Sequence, residues 1–220
     1  MTDVFLSTTT RDVPIQPSRA ALLFIDVQNF SCHPDGAEWS LMNPDECTEK
    51  KGPFLDLMER DVIPKMKSLQ AACRAAGVEV MYTTIESLTK DGRDRSLDYK
   101  ITGFNIPKGS WDGKVIDAIT PGDDEIVLPK SSSSVFISTH IDYVLRNLGV
   151  QQLILSGVLT DQCVESAIRD ACDLGYLVTQ VTDACATFSN ARQAASLKAI
   201  DGYCRQVTTD ALVKELARGT

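Results

Sequence analysis

The chain lacks a basic excess: 22 Lys and Arg stand against 30 Asp and Glu, for a formal net charge of −8. Nucleic acid and anionic membrane surfaces are bound through basic patches, so neither is an expected partner, and small molecules or proteins remain. No apolar run approaches the ~20 residues of a membrane span. Residues 1–7 carry no charged segment followed by a long apolar one, so no signal peptide is expected. The seven cysteines form neither C-x-x-C pairs nor zinc-type spacings, which argues against a disulfide framework or a structural zinc. A reducing cytoplasm with free thiols is the expectation. Repeats, low-complexity tracts and linkers are missing too, and single cores extend to ~250 residues. One domain over residues 1–220 is therefore expected, with polar residues 1–19, including Pro14 and Pro17, as an extended arm on the surface or on a neighbouring subunit.

What the chain does have is alternation. Ala20-Ala21-Leu22-Leu23-Phe24-Ile25-Asp26-Val27 is a continuous apolar run ending on a carboxylate, as in a strand buried on both faces. Over residues 54–76 the positions Leu55, Met58, Val62, Met66, Leu69 and Cys73 recur every three or four residues before Gly77, predicting a helix kinked or restarted at Pro64. Further strands are predicted over 78–84, 125–128 (running into Pro129-Lys130), 151–156, 176–181 and 203–207. Helices are predicted over 113–119, 139–148, 161–174, 190–201 and 209–217. Such alternation implies βαβ units with right-handed crossovers, hence a parallel sheet between helical layers. Residues 28–53 and 85–110 read as long irregular loops, the second carrying the charge run Lys90-Asp91-Gly92-Arg93-Asp94-Arg95, read as a solvated face.

In an open parallel sheet, ligands bind beyond the carboxyl ends of the strands. Asp26, Lys130 and Cys163 each follow a predicted strand and should meet at that edge. Cys163 falls in the first turn of a predicted helix, where peptide dipoles favour a thiolate and a lowered pKa. Taken singly, Cys163 reads as a small buried hydrophobe, Asp26 as a cap and Lys130 as a surface cation; an acid, a base and a thiol on one crevice read as a nucleophile with its activating partners.

The segments Leu22-Leu23-Phe24-Ile25-Asp26-Val27-Gln28-Asn29, Ile126-Val127-Leu128-Pro129-Lys130 and Ser156-Gly157-Val158-Leu159-Thr160-Asp161-Gln162-Cys163-Val164 resemble those of the isochorismatase-like cysteine hydrolases. The resemblance covers about residues 18–210, with the motifs in the same order. It implies an α/β fold of three layers, α/β/α, with a six-stranded parallel, Rossmann-like sheet, and a triad of Asp26, Lys130 and Cys163. It also implies a cis peptide between Val158 and Leu159, oxyanion-binding N–H groups on Leu159 and Cys163, and a turn held by the Thr160 side chain. The implied chemistry is hydrolysis of a C–N bond through a thioester.

Within that family, metal-dependent nicotinamidases carry an Asp-x-His pair and a further His. This chain has only His33 and His140 and no such pair, so neither metal nor cofactor is expected. Lys108-Gly109-Ser110-Trp111-Asp112 and Cys163-Val164-Glu165-Ser166 with Arg169-Asp170 are similar to ureidoacrylate, biuret and triuret hydrolases, which makes a small ureide the expected substrate. Candidate contacts are Asn29, Phe30 and Trp39 as walls, Glu86 as an acceptor for urea-type N–H groups or else a solvated loop acid, and Gln206 at a distal carbonyl. Carbamoylsarcosine or nicotinamide hydrolysis and a non-catalytic binding protein stand as alternatives. A redox pair of Cys163 with Cys172 is set aside, since nine residues of helix separate them by ~13.5 Å. A homo-oligomer, dimer or tetramer, is expected.

Overall fold

Apolar strand runs separated by amphipathic helices pair as the alternation requires. The computed structural model describes residues 10–218. Strands β1 (Ala20–Ile25), β2 (Glu79–Ile85), β3 (Ile126–Lys130), β4 (Gln152–Val158), β5 (Leu177–Ala186) and β6 (Arg205–Val207) form one six-stranded sheet in the order β3-β2-β1-β4-β5-β6, with every pairing parallel. The edge strand β3 accommodates Pro129, whose missing N–H would break a ladder in a central strand.

Side chains alternate across the central strand and feed two cores. Leu22 and Phe24 face one with Met58, Met66, Leu69 and Leu212; Leu23 and Ile25 face the other with Leu155, Val164, Ile168 and Leu145. Helices cover both faces, giving the three layers expected. Register brings Gly157 opposite Ile25, where a Cβ would lie 2.2 Å from the Ile25 carbonyl oxygen and where φ is +141°. Only glycine fits that crossing.

The region predicted as an irregular loop over 28–53 is mostly helical: α1 (Asn29–Cys32), α2 (Glu38–Leu41) and the start of α3 (Pro44–Leu57). Asn43 caps α3 by accepting from the Glu46 N–H, and Pro44 occupies the first turn. Asn-Pro, which also marks turns, here marks a helix start. A π-helical segment, Met58–Val62, joins α3 to α4 (Ile63–Ala76), so the irregularity precedes Pro64, and Gly77 ends α4 in the left-handed conformation. Within residues 85–110 the structure adds α5 (Leu97–Ile101), capped by the Ser96 side chain. The predicted helix over 113–119 is instead two 3-10 turns, Trp111–Gly113 and Asp117–Ile119. The remaining helices are α6 (Val135–Ser138), α7 (Ile141–Asn147), α8 (Glu165–Asp173), α9 (Asn190–Ala199) and α10 (Thr209–Leu216).

Of the predicted arm, residues 1–9 lie outside the described residues. Residues 12–16 are tied to their own chain: Ile15 N–H donates to Glu215, Gln16 N–H to Gln152 Oε1, and Asp12 pairs with Arg205. Among the described residues no helix is long and apolar enough to cross a membrane.

Candidate active site

Strand order reverses between β1 and β4, and their carboxyl ends open the crevice in which open α/β sheets hold ligands. Asp26 leaves β1 with φ +56°, a left-handed conformation that Asp tolerates better than most residues, and its N–H donates to Thr83 O on β2. Thr83 Oγ1 in turn donates to Asp26 Oδ1 at 3.1 Å. Lys130 ends β3 and is fully buried; its Nζ lies 2.8 Å from Asp26 Oδ2 and 3.4 Å from Cys163 Sγ. The same ammonium donates to the carbonyl oxygens of Ser132 and Ser133 at 2.9 and 3.0 Å. Such a buried cation needs partners on all sides, and it has them.

Cys163 sits in a π-helical turn, Thr160–Val164, that β4 feeds and α8 continues. The Val158–Leu159 peptide before it is cis. Thr160 Oγ1 is buried without a hydrogen-bond partner, so its side chain does not hold the turn as expected. Asp161 does so instead, accepting from Thr187 Oγ1 at 2.6 Å and pairing with Arg192 Nε at 2.5 Å.

The electrostatics differ from the lowered thiol expected at a helix start. Burial pushes the Cys163 thiol up to about 11; Lys130 pulls it down, while the Asp26 charge adds to the rise. Burial likewise raises the Asp26 carboxyl, against the pull of Lys130. Burial opposes the Lys130 ammonium, but Asp26 and Cys163 hold its pKa above the ordinary lysine value. Burial thus disfavours the thiolate, and Lys130, held as the ammonium, is the charge beside it that favours it.

Asp26, Cys163, Val158 and Leu159 open onto a cavity of about 400 Å³, walled opposite by Glu38, Tyr99 and Phe104. Tyr99 stays a neutral phenol because burial raises its pKa, with its hydroxyl 3.5 Å from Lys130 Nζ. Ser133 Oγ lies 3.6 Å from Cys163 Sγ.

The five expected substrate contacts are engaged elsewhere, and none lines that cavity. Asn29 donates to Trp111 O at 3.0 Å. Phe30 packs behind the wall with Phe104, Ile85 and Ile106. Trp39 donates to His33 O and packs on Phe54 and Phe188. Glu86 accepts from Gly109 N–H at 2.6 Å, tying down its own loop. Gln206 donates to Leu197 O on the far side of β5. Sequence reasoning passed over Glu38, Tyr99, Phe104 and Ser133. Ser133 stood in the Ser131–Ser134 run after Lys130, a polar stretch at a strand end that marks it; the others carried no local signal. Among the described residues no group of three His, Cys, Asp or Glu side chains is placed to hold a metal ion.

Comparison with known proteins places this geometry in company. The Isochorismatase domain family matches residues 20–211. Ureidoacrylate amidohydrolase RutB of Rhizobium rhizogenes is 28% identical over 194 residues, 78% of this chain and 72% of the relative. A cysteine hydrolase from Pseudomonas syringae pv. phaseolicola superposes with a TM-score of 0.80 at 26% identity, covering 97% of this chain and 100% of that one. N-carbamoylsarcosine amidase from Thermoplasma acidophilum gives 0.67 at 25% identity, covering 87% and 97%.

Proposed function

We propose that this chain, which belongs to the isochorismatase family, is an amidohydrolase that cleaves a C–N bond of a small ureide with Cys163 as nucleophile. One observation carries the reading: Lys130 Nζ sits 2.8 Å from Asp26 and 3.4 Å from Cys163, joining three strand ends into one group on one cavity.

Asp26 takes the Cys163 proton, and Lys130 stabilises the thiolate that results. The thiolate attacks the substrate carbonyl, and the N–H groups of Leu159 and Cys163 receive the developing oxyanion. Asp26 passes the proton to the departing nitrogen, which leaves as ammonia or a small amine and puts the acyl group on sulfur. Water gives a proton to Asp26, attacks the thioester and releases the acid, and Asp26 returns the proton to Cys163. A buried ion pair suits this shuttle because Asp26 is protonated and deprotonated twice in each turnover beside a fixed cation. The ureide class is supported by the relatives named above and by a cavity sized for a small linear amide.

Ammonia release from ureidoacrylate, biuret, triuret, nicotinamide and carbamoylsarcosine tests the reading. Turnover of at least one of these ureides is expected; turnover of nicotinamide alone would defeat the reading. The reading includes a homo-oligomer, dimer or tetramer, since Leu97, Ile101, Ile137 and Tyr143 present large apolar side chains to solvent; a monomer by light scattering would remove that part.

A further inference from the structure

One buried acid at the cavity has no part in the proton shuttle. Glu38, at the start of α2, is only 4% exposed, lines the cavity, and leaves its Oε2 without a hydrogen-bond partner. Burial pushes its carboxyl up to about 7, against Ser31 and Lys50, with the Asp26 charge adding to the rise. Lys50, the cation nearest in influence, is held by Glu46 one turn away on α3. A free acceptor in such a setting is costly unless a ligand supplies the missing donor.

The rest of the wall has the same sign. Asp26 and Asp98 line the cavity with Glu38, and among the described residues no Lys, Arg or His does. Lys130 lies behind it, committed to Asp26 and to the Ser132 and Ser133 carbonyls. A substrate carboxylate would enter a space edged by three acids and find no cation free to receive it. A terminal amide or urea –NH2, which offers donors, matches Glu38 Oε2, an oxygen with less than 1 Å² open to solvent that meets a ligand when the Glu38 side chain turns into the cavity.

We propose that Glu38 is the specificity-determining residue: its unpartnered oxygen accepts a hydrogen bond from the distal –NH2 of an uncharged ureide such as biuret, and the acid-edged cavity rejects amides that carry a carboxylate. This inference rests on the cavity beside Cys163 being the amide site. It separates this chain from the relatives named above, since ureidoacrylate and N-carbamoylsarcosine each bear a carboxylate.

The test separates the two claims by measuring binding apart from turnover. Calorimetry on Cys163→Ser protein compares N-carbamoylglycinamide with N-carbamoylglycine, which differ only in the amide or carboxylate at one end. The amide is expected to bind at least ~10-fold more tightly, the scale of one hydrogen bond to a charged group. Glu38→Gln should reduce that preference to about threefold or less and raise KM for biuret ~10-fold with little change in kcat, while its thermal midpoint matches the parent's at acid pH and lies above it at neutral pH, where the parent carries the ionised acid. Should Glu38→Gln fail to fold, Glu38→Ala, which removes both the charge and the acceptor, serves with the same readout. Equal binding of the two ligands, or a preference that survives in a folded Glu38 variant, would overturn the inference while leaving amide hydrolysis intact. Undiminished turnover by Cys163→Ala protein would instead overturn the nucleophile and leave the binding preference readable.

Discussion

The two sides of the cavity are built differently. One is the carboxyl edge of the sheet, where Asp26, Lys130 and the Cys163 turn follow from β1, β3 and β4 and meet one another within hydrogen-bond or ion-pair distance. The other is a wall from residues 31–38 and 98–104, in which Glu38 is unpartnered at one oxygen and Asp98 sits exposed at the rim. The Asp26 and Lys130 charges of the edge are paired with each other without a ligand, whereas Glu38 and Asp98 in the wall make no ion pair among the described residues. On the proposed reading, chemistry belongs to the edge and selection to the wall that a substrate completes.

The sharpest way to break this division is at the nucleophile. Cys163→Ala should lower ammonia release by at least ~10⁴-fold with a thermal midpoint close to the wild type, since it removes only one sulfur from a cavity wall. Next is Lys130→Met, which leaves the Asp26 charge buried alone and should cost about 3–5 kcal/mol in urea denaturation as well as activity. Adding Asp26→Asn should restore most of that stability and none of the turnover; a stable, active Lys130→Met protein would show that the edge is not an electrostatic unit.

The wall should respond in the opposite manner, through pH. Folding raises the Glu38 carboxyl from an ordinary 4.5 to about 7, so the folded state binds its proton more tightly than the unfolded chain does. Its stabilising contribution is present in full below about 4.5 and is lost as pH rises through about 7. Relative to Glu38→Gln, the wild type should lose on the order of 2–3 kcal/mol across that window in urea titrations; parallel pH profiles would mean that Glu38 ionises normally. The smallest contrast lies in the charged loop. Arg95 donates to Phe104 O at 2.7 Å and Gly92 O at 2.9 Å, whereas Arg93 pairs only with exposed Asp91. Arg95→Ala should lower kcat/KM about tenfold by loosening Phe104, and Arg93→Ala should change stability by less than ~0.5 kcal/mol.

The same division explains what was legible in the sequence. Strands buried on both faces must be continuously apolar, so β1 and β4 announce themselves, and a polar residue directly after each is conspicuous. That is why Asp26 stood out from pattern; Lys130, at the end of edge strand β3, and Cys163, in the turn after β4, stood out with it through the shared strand direction and the family resemblance. The wall obeys no such rule. Trp39 was expected to wall the pocket but packs on Phe54 and Phe188, and Glu86, expected either to accept from substrate or to be a solvated loop acid, accepts from the Gly109 N–H. Glu38 is buried only because α1 to α3 fold back over the sheet end, a contact between segments that no local pattern reports. The raised Cys163 thiol has the same origin: a helix start favours the thiolate, but burial and the Asp26 charge outweigh it. The α3 start at Asn43-Pro44 is a different case, a local capping signal hidden by a dipeptide that also serves in turns.

Acid-quenching the wild-type protein during turnover of a ureide and weighing it intact tests the central claim most directly. Covalent catalysis predicts a fraction of molecules heavier by the acyl fragment, with the increment on the peptide containing Cys163. Steady ammonia release with no increment on Cys163 at any quench time, and undiminished release from Cys163→Ala protein, would contradict it.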